Sequence, residues 1–150
     1  MRRKEKRITN KKEIEQILRR ATICRIAFHD EEYPYIVPMN YGYSNKALYF
    51  HSATEGRNLD LLRRNSKVGF EIEEFHALET GPMSCSWTTQ YRSLLGTGTL
   101  EIISNYSNKT AGLEILMAHH GKNDNACEEY HVNRMLILKL KIEHVEGKQS

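Results

Sequence analysis

Residues 35–52 read YIVPMNYGYSNKALYFHS and carry two β-like segments on either side of a short polar turn. An apolar–polar alternation with a period of two is typical of strands that bury one face, so we predict strands at residues 35–43 and 47–51. Residues 44–46 form the turn between them. Residues 22–28, TICRIAF, alternate in the same way just upstream. The three segments therefore predict an antiparallel meander with short connections.

Helix and strand patterns continue on both sides of this meander. Asn10 followed by Glu13 is a capping-box signal, and apolar residues then recur at helical spacing, which predicts a helix at residues 11–20. Downstream we predict a short helix at 58–64, a strand at 68–73 and a loop at 74–86. Residues 87–103 are rich in strand-forming residues and are interrupted at Gly96–Gly98. A helix capped by Ser107 or Asn108 follows, and the last strand is predicted at 135–142.

These elements predict a mainly β fold: a six-stranded antiparallel barrel, closed or nearly closed, with short flanking α-helices. Closure suits a small β-rich protein because it removes exposed strand edges. Pro38 has no N–H for a ladder, so it marks a strand edge, a bulge, or a place where the ladder opens toward a ligand. No repeat or linker divides the chain, so we expect one domain over residues 1–150, with basic residues 1–10 as a tail that can be mobile.

Composition narrows the class of protein. A chain of 150 residues can bury about two thirds of its unfolded surface, and its net charge is only +3. Cys24, Cys85 and Cys127 include no CxxC spacing, which favours a reducing, cytoplasmic setting over a disulfide scaffold. We find no secretory signal and no apolar run long enough for a bilayer, so we expect no membrane partner. The basic N-terminal cluster could contact nucleic acid, but it is more typical of a solvated terminus.

The loop after the third strand is the strongest candidate site. His51, Ser52, Ala53 and Thr54 end the strand, and Gly56–Asn58 opens a helix. Backbone N–H groups at a helix start, together with hydroxyls and an arginine, can surround a phosphate. The alternative is an ordinary turn with a surface arginine, because the segment lacks the glycines and the lysine of a P-loop. Local composition leaves both interpretations open.

Three other sets of residues have side chains that could take part in chemistry or ligand binding. His119, His120, Cys127 and His131 suggest a metal or haem site, but adjacent histidines on a helix point in different directions and the spacing matches no strong zinc pattern. We therefore expect no metal. Cys24 lies within a strand pattern and is expected in the core. The aromatic and basic residues near position 91 could stack on a planar ring or pack a barrel wall.

Four segments in sequence order carry a family resemblance. Residues 33–41, 48–65, 68–72 and 85–93 together resemble the pyridoxamine 5′-phosphate oxidase-like, FMN-binding split-barrel superfamily. Within it, the chain is most similar to the nitroimidazole-resistance (Nim-type) branch. The resemblance runs from the first helix to about residue 120. It implies a split barrel with FMN as its cofactor.

The resemblance also implies where FMN lies. Its phosphate would contact the loop after strand three, and its isoalloxazine ring would lie along strand two. The site would require a homodimer, and residues 91–93 would approach the flavin from either the same or the other subunit. The implied cofactor-binding residues are Val37, Pro38, Met39, Asn40, Tyr41, His51, Ser52, Ala53, Thr54, Arg57, Asn58, Tyr91, Arg92 and Ser93.

Two of these positions carry further implications. His51 matches a histidine near the flavin and substrate, so it is the expected catalytic residue, because an imidazole can donate a hydrogen bond or a proton. Asn58 stands where relatives often have a second basic residue. It keeps a neutral donor but removes one charge, so we expect weaker FMN binding than in relatives with two cations.

The function implied is that of a flavin-dependent oxidoreductase acting on a small molecule, with a nitro-aromatic compound as a candidate substrate and NAD(P)H as a candidate donor. Because this superfamily contains many activities, two alternatives stay open. One is a non-catalytic flavin- or haem-binding carrier or stress protein. The other, less favoured, is a nucleic-acid-associated module. Too little of the pyridoxal-binding pattern is present to predict a vitamin B6 oxidase.

Overall fold

The computed structural model of the chain describes residues 4–123 and 128–150. Within these residues it contains eight β-strands and four α-helices, with short 3₁₀ turns at Lys4–Lys6 and Ser84–Ser86. The elements are β1 (Arg7–Ile8), α1 (Lys11–Arg20), β2 (Ile23–Phe28), β3 (Tyr35–Asn40), β4 (Gly42–Ser44), β5 (Ala47–Ser52), α2 (Arg57–Arg64), β6 (Lys67–Glu79), β7 (Thr88–Ile103), α3 (Tyr106–His119), α4 (Glu129–Asn133) and β8 (Leu136–Gln149).

The strands form one antiparallel sheet in the order β3-β2-β6-β7-β8-β5-β4, and β1 pairs with β8. The two end strands, β3 and β4, are consecutive in the chain and are separated only by Tyr41. The backbone itself therefore brings the two ends of the sheet together. β3 and β5 are not neighbours in a ladder. The result is the predicted mainly β, antiparallel split barrel with short flanking helices.

The prediction of six strands was wrong. Residues 35–43 divide at Tyr41, because β3 pairs with β2 whereas β4 pairs with β5. The Tyr41 side chain is fully buried, and its hydroxyl donates a 2.9 Å hydrogen bond to the carbonyl oxygen of Leu18, which fixes this corner. β1 lies inside the expected N-terminal tail, where Ile8 is buried against β8.

The β6–β7 hairpin is longer than predicted. β6 continues to Glu79, so only residues 80–87 separate the two strands, instead of a loop over residues 74–86. Gly96 and Gly98 do not interrupt β7. A Cβ at Gly96 would lie 2.3 Å from a ring carbon of Phe70, and one at Gly98 would lie 2.2 Å from the Lys141 carbonyl oxygen. These glycines therefore permit close contacts within a continuous strand, where the register with β8 shifts after Thr97.

The helices agree better with the sequence patterns. The predicted bounds of α1 are confirmed, and the Asn10 side chain accepts the Lys12 N–H at 2.9 Å. α3 begins earlier than predicted, because Asn105 is its N-cap and accepts the Asn108 N–H at 2.8 Å. α4 was not predicted, and β8 runs seven residues beyond the predicted end at 142, to Gln149. In the part of the chain described, no helix is both long enough and apolar enough to cross a membrane.

The core fills the inside of the curled sheet. Alternate residues of the central strands, such as Ile26, Phe50 and Ile72, are buried there, and α1 and α2 close the barrel with apolar residues that include Ile17 and Leu59. Cys24 belongs to this core, as predicted. Burial raises the pKa of its thiol above the usual value, so the group stays neutral and packs as a small apolar side chain.

Candidate ligand-binding cleft

A cleft of about 490 Å³ opens between β3 and β5, where no ladder joins the strands. This volume lies within the range of about 300–1,000 Å³ that is usual for small-molecule sites. The cleft is formed by the two segments that the sequence analysis predicted as ligand-binding, the strand before Tyr41 and the loop before α2. The lining residues are Ile23, Tyr35, Val37, Pro38, Met39, Asn40, His51, Ser52, Ala53, Glu55 and Asn58.

One side of the cleft is the free edge of β3. Pro38 pairs with Arg25 of β2, and the opposite edge of β3 has no ladder partner among residues 4–123 and 128–150. The missing N–H of Pro38 therefore costs no ladder hydrogen bond, and Pro38 lies on a strand edge, which is one of the three placements that the sequence left open. Val37 and Met39 pack against the core, while Asn40 is exposed. This side offers a mostly apolar surface to a ligand.

The other side is polar and lies where β5 ends and α2 begins. Ser52 is 8% exposed, and its Oγ accepts a 3.4 Å hydrogen bond from the Asn58 side-chain amide. Gly56 adopts a φ of 139°, which favours glycine, and precedes the first turn of α2 without a side-chain cap. The first N–H groups of a helix have no acceptor within it. Hydroxyl, amide and backbone donors therefore converge at this end, as an anionic group requires.

Arg57 stands beside this cleft in an ion pair. Its Nη2 lies 2.6 Å from Oδ2 of Asp30, and its guanidinium lies 4.9 Å from the centre of the Tyr35 ring. The hydrogen bond from Arg57, followed by the one from the Glu31 N–H, lowers the pKa of Asp30. Both Asp30 and Tyr35 were missed as site residues. Alternation along β3 could have found Tyr35, but no local signal joins Asp30 to a residue 27 positions away.

Like Arg57, the predicted contact residues Tyr41 and Thr54 do not line the cleft. Tyr41 points into the core, where burial raises the pKa of its phenol above the usual value. It therefore fixes the end of β3 and does not line the cleft. Thr54 is exposed in the loop before α2, whereas its neighbours Ala53 and Glu55 line the cleft. His51 lines the cleft and is exposed, and its contact with a flavin stays a prediction.

Tyr91, Arg92 and Ser93 lie on β7, which β2 and β6 separate from β3 in the sheet. Arg92 forms an ion pair with Glu74 at 2.9 Å, and the Tyr91 N–H donates to the Ser150 hydroxyl at 3.0 Å. A single chain does not bring these residues into the cleft. Their approach to a ligand from a second subunit stays a prediction.

The histidines His119, His120 and His131, in the C-terminal part of the chain, have different surroundings. His119 Nε2 lies 2.8 Å from the Ala21 carbonyl oxygen, and its ring packs 4.8 Å from the Tyr41 ring, centre to centre. His120 is exposed at the end of α3, and His131 is exposed on α4. Cys127 lies outside the described residues. Among residues 4–123 and 128–150, no three His, Cys, Asp or Glu side chains are grouped as metal ligands would be.

Comparisons with known proteins agree with the fold. The family model described as pyridoxamine 5′-phosphate oxidase matches residues 10–149. A candidate 5-nitroimidazole antibiotic resistance protein from Bacteroides thetaiotaomicron VPI-5482 is 32% identical, with a TM-score of 0.84 over 95% of this chain and 86% of that chain. An FAD- and haem-binding protein from Mycobacterium smegmatis has a TM-score of 0.85 at 20% identity, over 97% of this chain and 73% of that chain, which shows a shared fold.

A curated relative matches a shorter region. An uncharacterized protein of Rhizobium meliloti (strain 1021) is 33% identical over 69 residues, which are 46% of this chain and 45% of that protein. The match thus spans less than half of that relative. The family assignment depends instead on the match over residues 10–149 and on the 32% identity across most of the chain. The chain belongs to the pyridoxamine 5′-phosphate oxidase-like family, as its sequence segments predicted.

Proposed function

We propose that this chain is an oxidoreductase that binds FMN between β3 and β5 and reduces a small molecule there. The family is one of flavin-binding split barrels. The observation that carries the proposal is the cleft itself, which joins the apolar edge of β3 to the polar loop before α2. Neither segment forms a ligand site alone. Together they offer an apolar surface and a set of polar donors, which fits a ligand with a flat apolar part and an anionic end.

The residues present fit such a ligand. Val37, Pro38 and Met39 supply an apolar surface along which an isoalloxazine ring can lie. Ser52 and Asn58 supply neutral donors at the opposite side, next to the first N–H groups of α2. Phosphate binds well at such a helix start, because the backbone donors and the positive end of the helix dipole face it. Arg57 stands close enough to this turn to add a charged donor.

His51 is the proposed proton donor. It lies in the cleft at the end of β5, with its side chain exposed to an incoming molecule. An imidazole can give a proton to a substrate as that substrate gains electrons. FMN, when bound, would supply the electron transfer, with NAD(P)H as the donor. The similarity to the Bacteroides protein supports a nitro-aromatic substrate.

The active form is proposed to be a homodimer, since members of the family are typically dimeric. The outer face of β2, β3 and β7 supports a self-association surface, because it exposes Ile23, Ile36 and Leu95, which are 44%, 58% and 45% exposed. Ile23 also lines the cleft, so a second copy on this face would cover the open side of the site. Residues 91–93 of the partner subunit would then complete it.

The purified full-length protein tests this proposal directly. We expect a yellow protein with a flavin absorption band, release of FMN on denaturation, and NAD(P)H-dependent loss of a nitro-aromatic substrate. A colourless protein that takes up no added FMN would contradict the proposal. Flavin binding without any substrate reduction would instead support a carrier, and a Soret band would support a haem protein.

A further inference from the structure

One ion pair beside the cleft joins the segments that continue from its two sides. Asp30 lies in the connection between β2 and β3, and Arg57 is the first residue of α2. Because no ladder joins β3 to β5, the 2.6 Å contact between these side chains is a direct polar link across the split. The guanidinium also covers the Tyr35 ring, and Tyr35 lines the cleft. The link therefore lies at the edge of the ligand site.

While Arg57 is paired with Asp30, the charges near the start of α2 do not favour the binding of an anion. Glu55 lines the cleft and contributes a negative charge. Asp30 is held ionised, and it occupies the arginine that stands at the start of α2. Asn58, at the next position, is neutral. A phosphate entering the cleft would thus meet an arginine already paired with a carboxylate.

The two partners differ in freedom to move. The Arg57 side chain is 65% exposed, whereas that of Asp30 is 16% exposed and also accepts the Glu31 N–H at 2.9 Å. If the pair separates, Asp30 keeps a hydrogen bond in place. Arg57 can then reach the phosphate by rotation of its side-chain bonds alone. Its backbone already lies at the helix start that would bind the phosphate, because Arg57 is the first residue of α2.

We propose that Asp30 competes with the ligand's phosphate for Arg57 and so limits the affinity of the cleft for phosphate-bearing ligands. This inference rests on the proposed binding of FMN. It assigns a role to a residue outside the cleft lining. The competition predicts that removing the Asp30 charge strengthens phosphate binding, provided that Arg57 is present.

The test compares FMN with riboflavin, which has the same ring system and no phosphate. Binding to the full-length apoprotein is measured by quenching of flavin fluorescence, in the wild type and in Asp30→Asn, Arg57→Ala and the double variant. We expect Asp30→Asn to bind FMN roughly threefold to tenfold more tightly, on the scale of an exposed ion pair plus a nearby charge. Riboflavin affinity should stay unchanged, and the gain should vanish in the double variant.

Asp60→Asn is the matched control. Asp60 pairs with Arg63 at 2.9 Å on the same helix and does not line the cleft, so this variant makes the same charge change without touching the Asp30–Arg57 pair. Inorganic phosphate, titrated as a competitor of FMN, should compete more effectively with Asp30→Asn than with the wild type or the Asp60→Asn control.

The outcomes separate the two proposals. Unchanged or weaker FMN binding by Asp30→Asn, with normal binding by the wild type, would overturn the competition and leave the flavin site standing. An equal gain for riboflavin, or a gain that persists without Arg57, would also overturn it. If the wild type bound neither flavin, both proposals would fail together.

Discussion

The Tyr41 hydroxyl donates a 2.9 Å hydrogen bond to the carbonyl oxygen of Leu18, and so ties the turn between β3 and β4 to the end of α1. Tyr41 is fully buried, and β3 is one side of the cleft. This contact therefore fixes the end of the strand along which the proposed ligand lies. The barrel and the ligand site depend on the same corner.

Tyr41→Phe is expected to destabilise the protein by about 1–3 kcal/mol, because the Leu18 carbonyl oxygen loses its buried donor. Urea unfolding followed by far-UV circular dichroism measures the change in the free energy of unfolding. Tyr33→Phe is the control, since Tyr33 is 77% exposed. Equal stability of Tyr41→Phe and Tyr33→Phe would show that this hydrogen bond contributes little.

Gly96→Ala should lower the free energy of unfolding by about 1–3 kcal/mol or more. The added Cβ would lie 2.3 Å from the Phe70 ring and 2.6 Å from the His144 carbonyl oxygen. Gly69→Ala provides the comparison in the neighbouring strand β6, since its nearest atoms would be 3.9 Å away. Thermal unfolding of both variants measures the difference. A Gly96→Ala protein as stable as Gly69→Ala would contradict the close contact.

Arg57→Ala should weaken FMN binding about tenfold, the scale of one charge-assisted hydrogen bond. The affinity of riboflavin should change much less, because it has no phosphate. Arg63→Ala is the control on α2, where Arg63 pairs with Asp60 away from the cleft. Equal FMN affinities for the two variants would remove Arg57 from the phosphate site.

His51→Asn should lower the rate of nitro-aromatic reduction roughly hundredfold, the lower limit for loss of a general acid. FMN affinity should change little, because Ser52 and Asn58 remain. Steady-state kinetics and flavin titration on the same preparation separate the two effects. His131→Asn is the control, since His131 is exposed on α4. An unchanged rate would exclude His51 as the proton donor.

Protonation of His119 at low pH should destabilise the folded protein at Tyr41, because the two rings pack against each other. Burial lowers the pKa of this imidazole below its usual value of 6.5, so the folded state resists its protonation. Its contribution to stability is present above about pH 6.5 and is lost as the pH falls through the lower folded-state pKa. We expect the free energy of unfolding to decrease from pH 7 to pH 5 more steeply in the wild type than in His119→Gln. Equal slopes would contradict this prediction.

Local patterning was sufficient where neighbours in sequence decide the structure. Alternation located the strands at 22–28 and 47–51 to within a residue, and the capping box located α1. The missing N–H of Pro38 left a strand edge, a bulge or an opening of the ladder as alternatives, and the strand is an edge. Where distant segments decide the structure, patterning failed. Gly96 and Gly98 suggested a break, but Phe70 and the backbone of Lys141 require glycine there within a continuous strand.

Residue type and local spacing were sufficient for the antiparallel strands and for the core position of Cys24. They made the loop before α2 a candidate site, but the family resemblance, and not local spacing, was what assigned the strand at residues 35–43 to the same ligand. The three-dimensional arrangement alone shows that β3 and β5 border one cleft with no ladder between them. It also decided that Arg57 pairs with Asp30, 27 residues away, and that Tyr41 turns into the core. These relationships depend on how the curled sheet brings distant residues together, which no local pattern encodes.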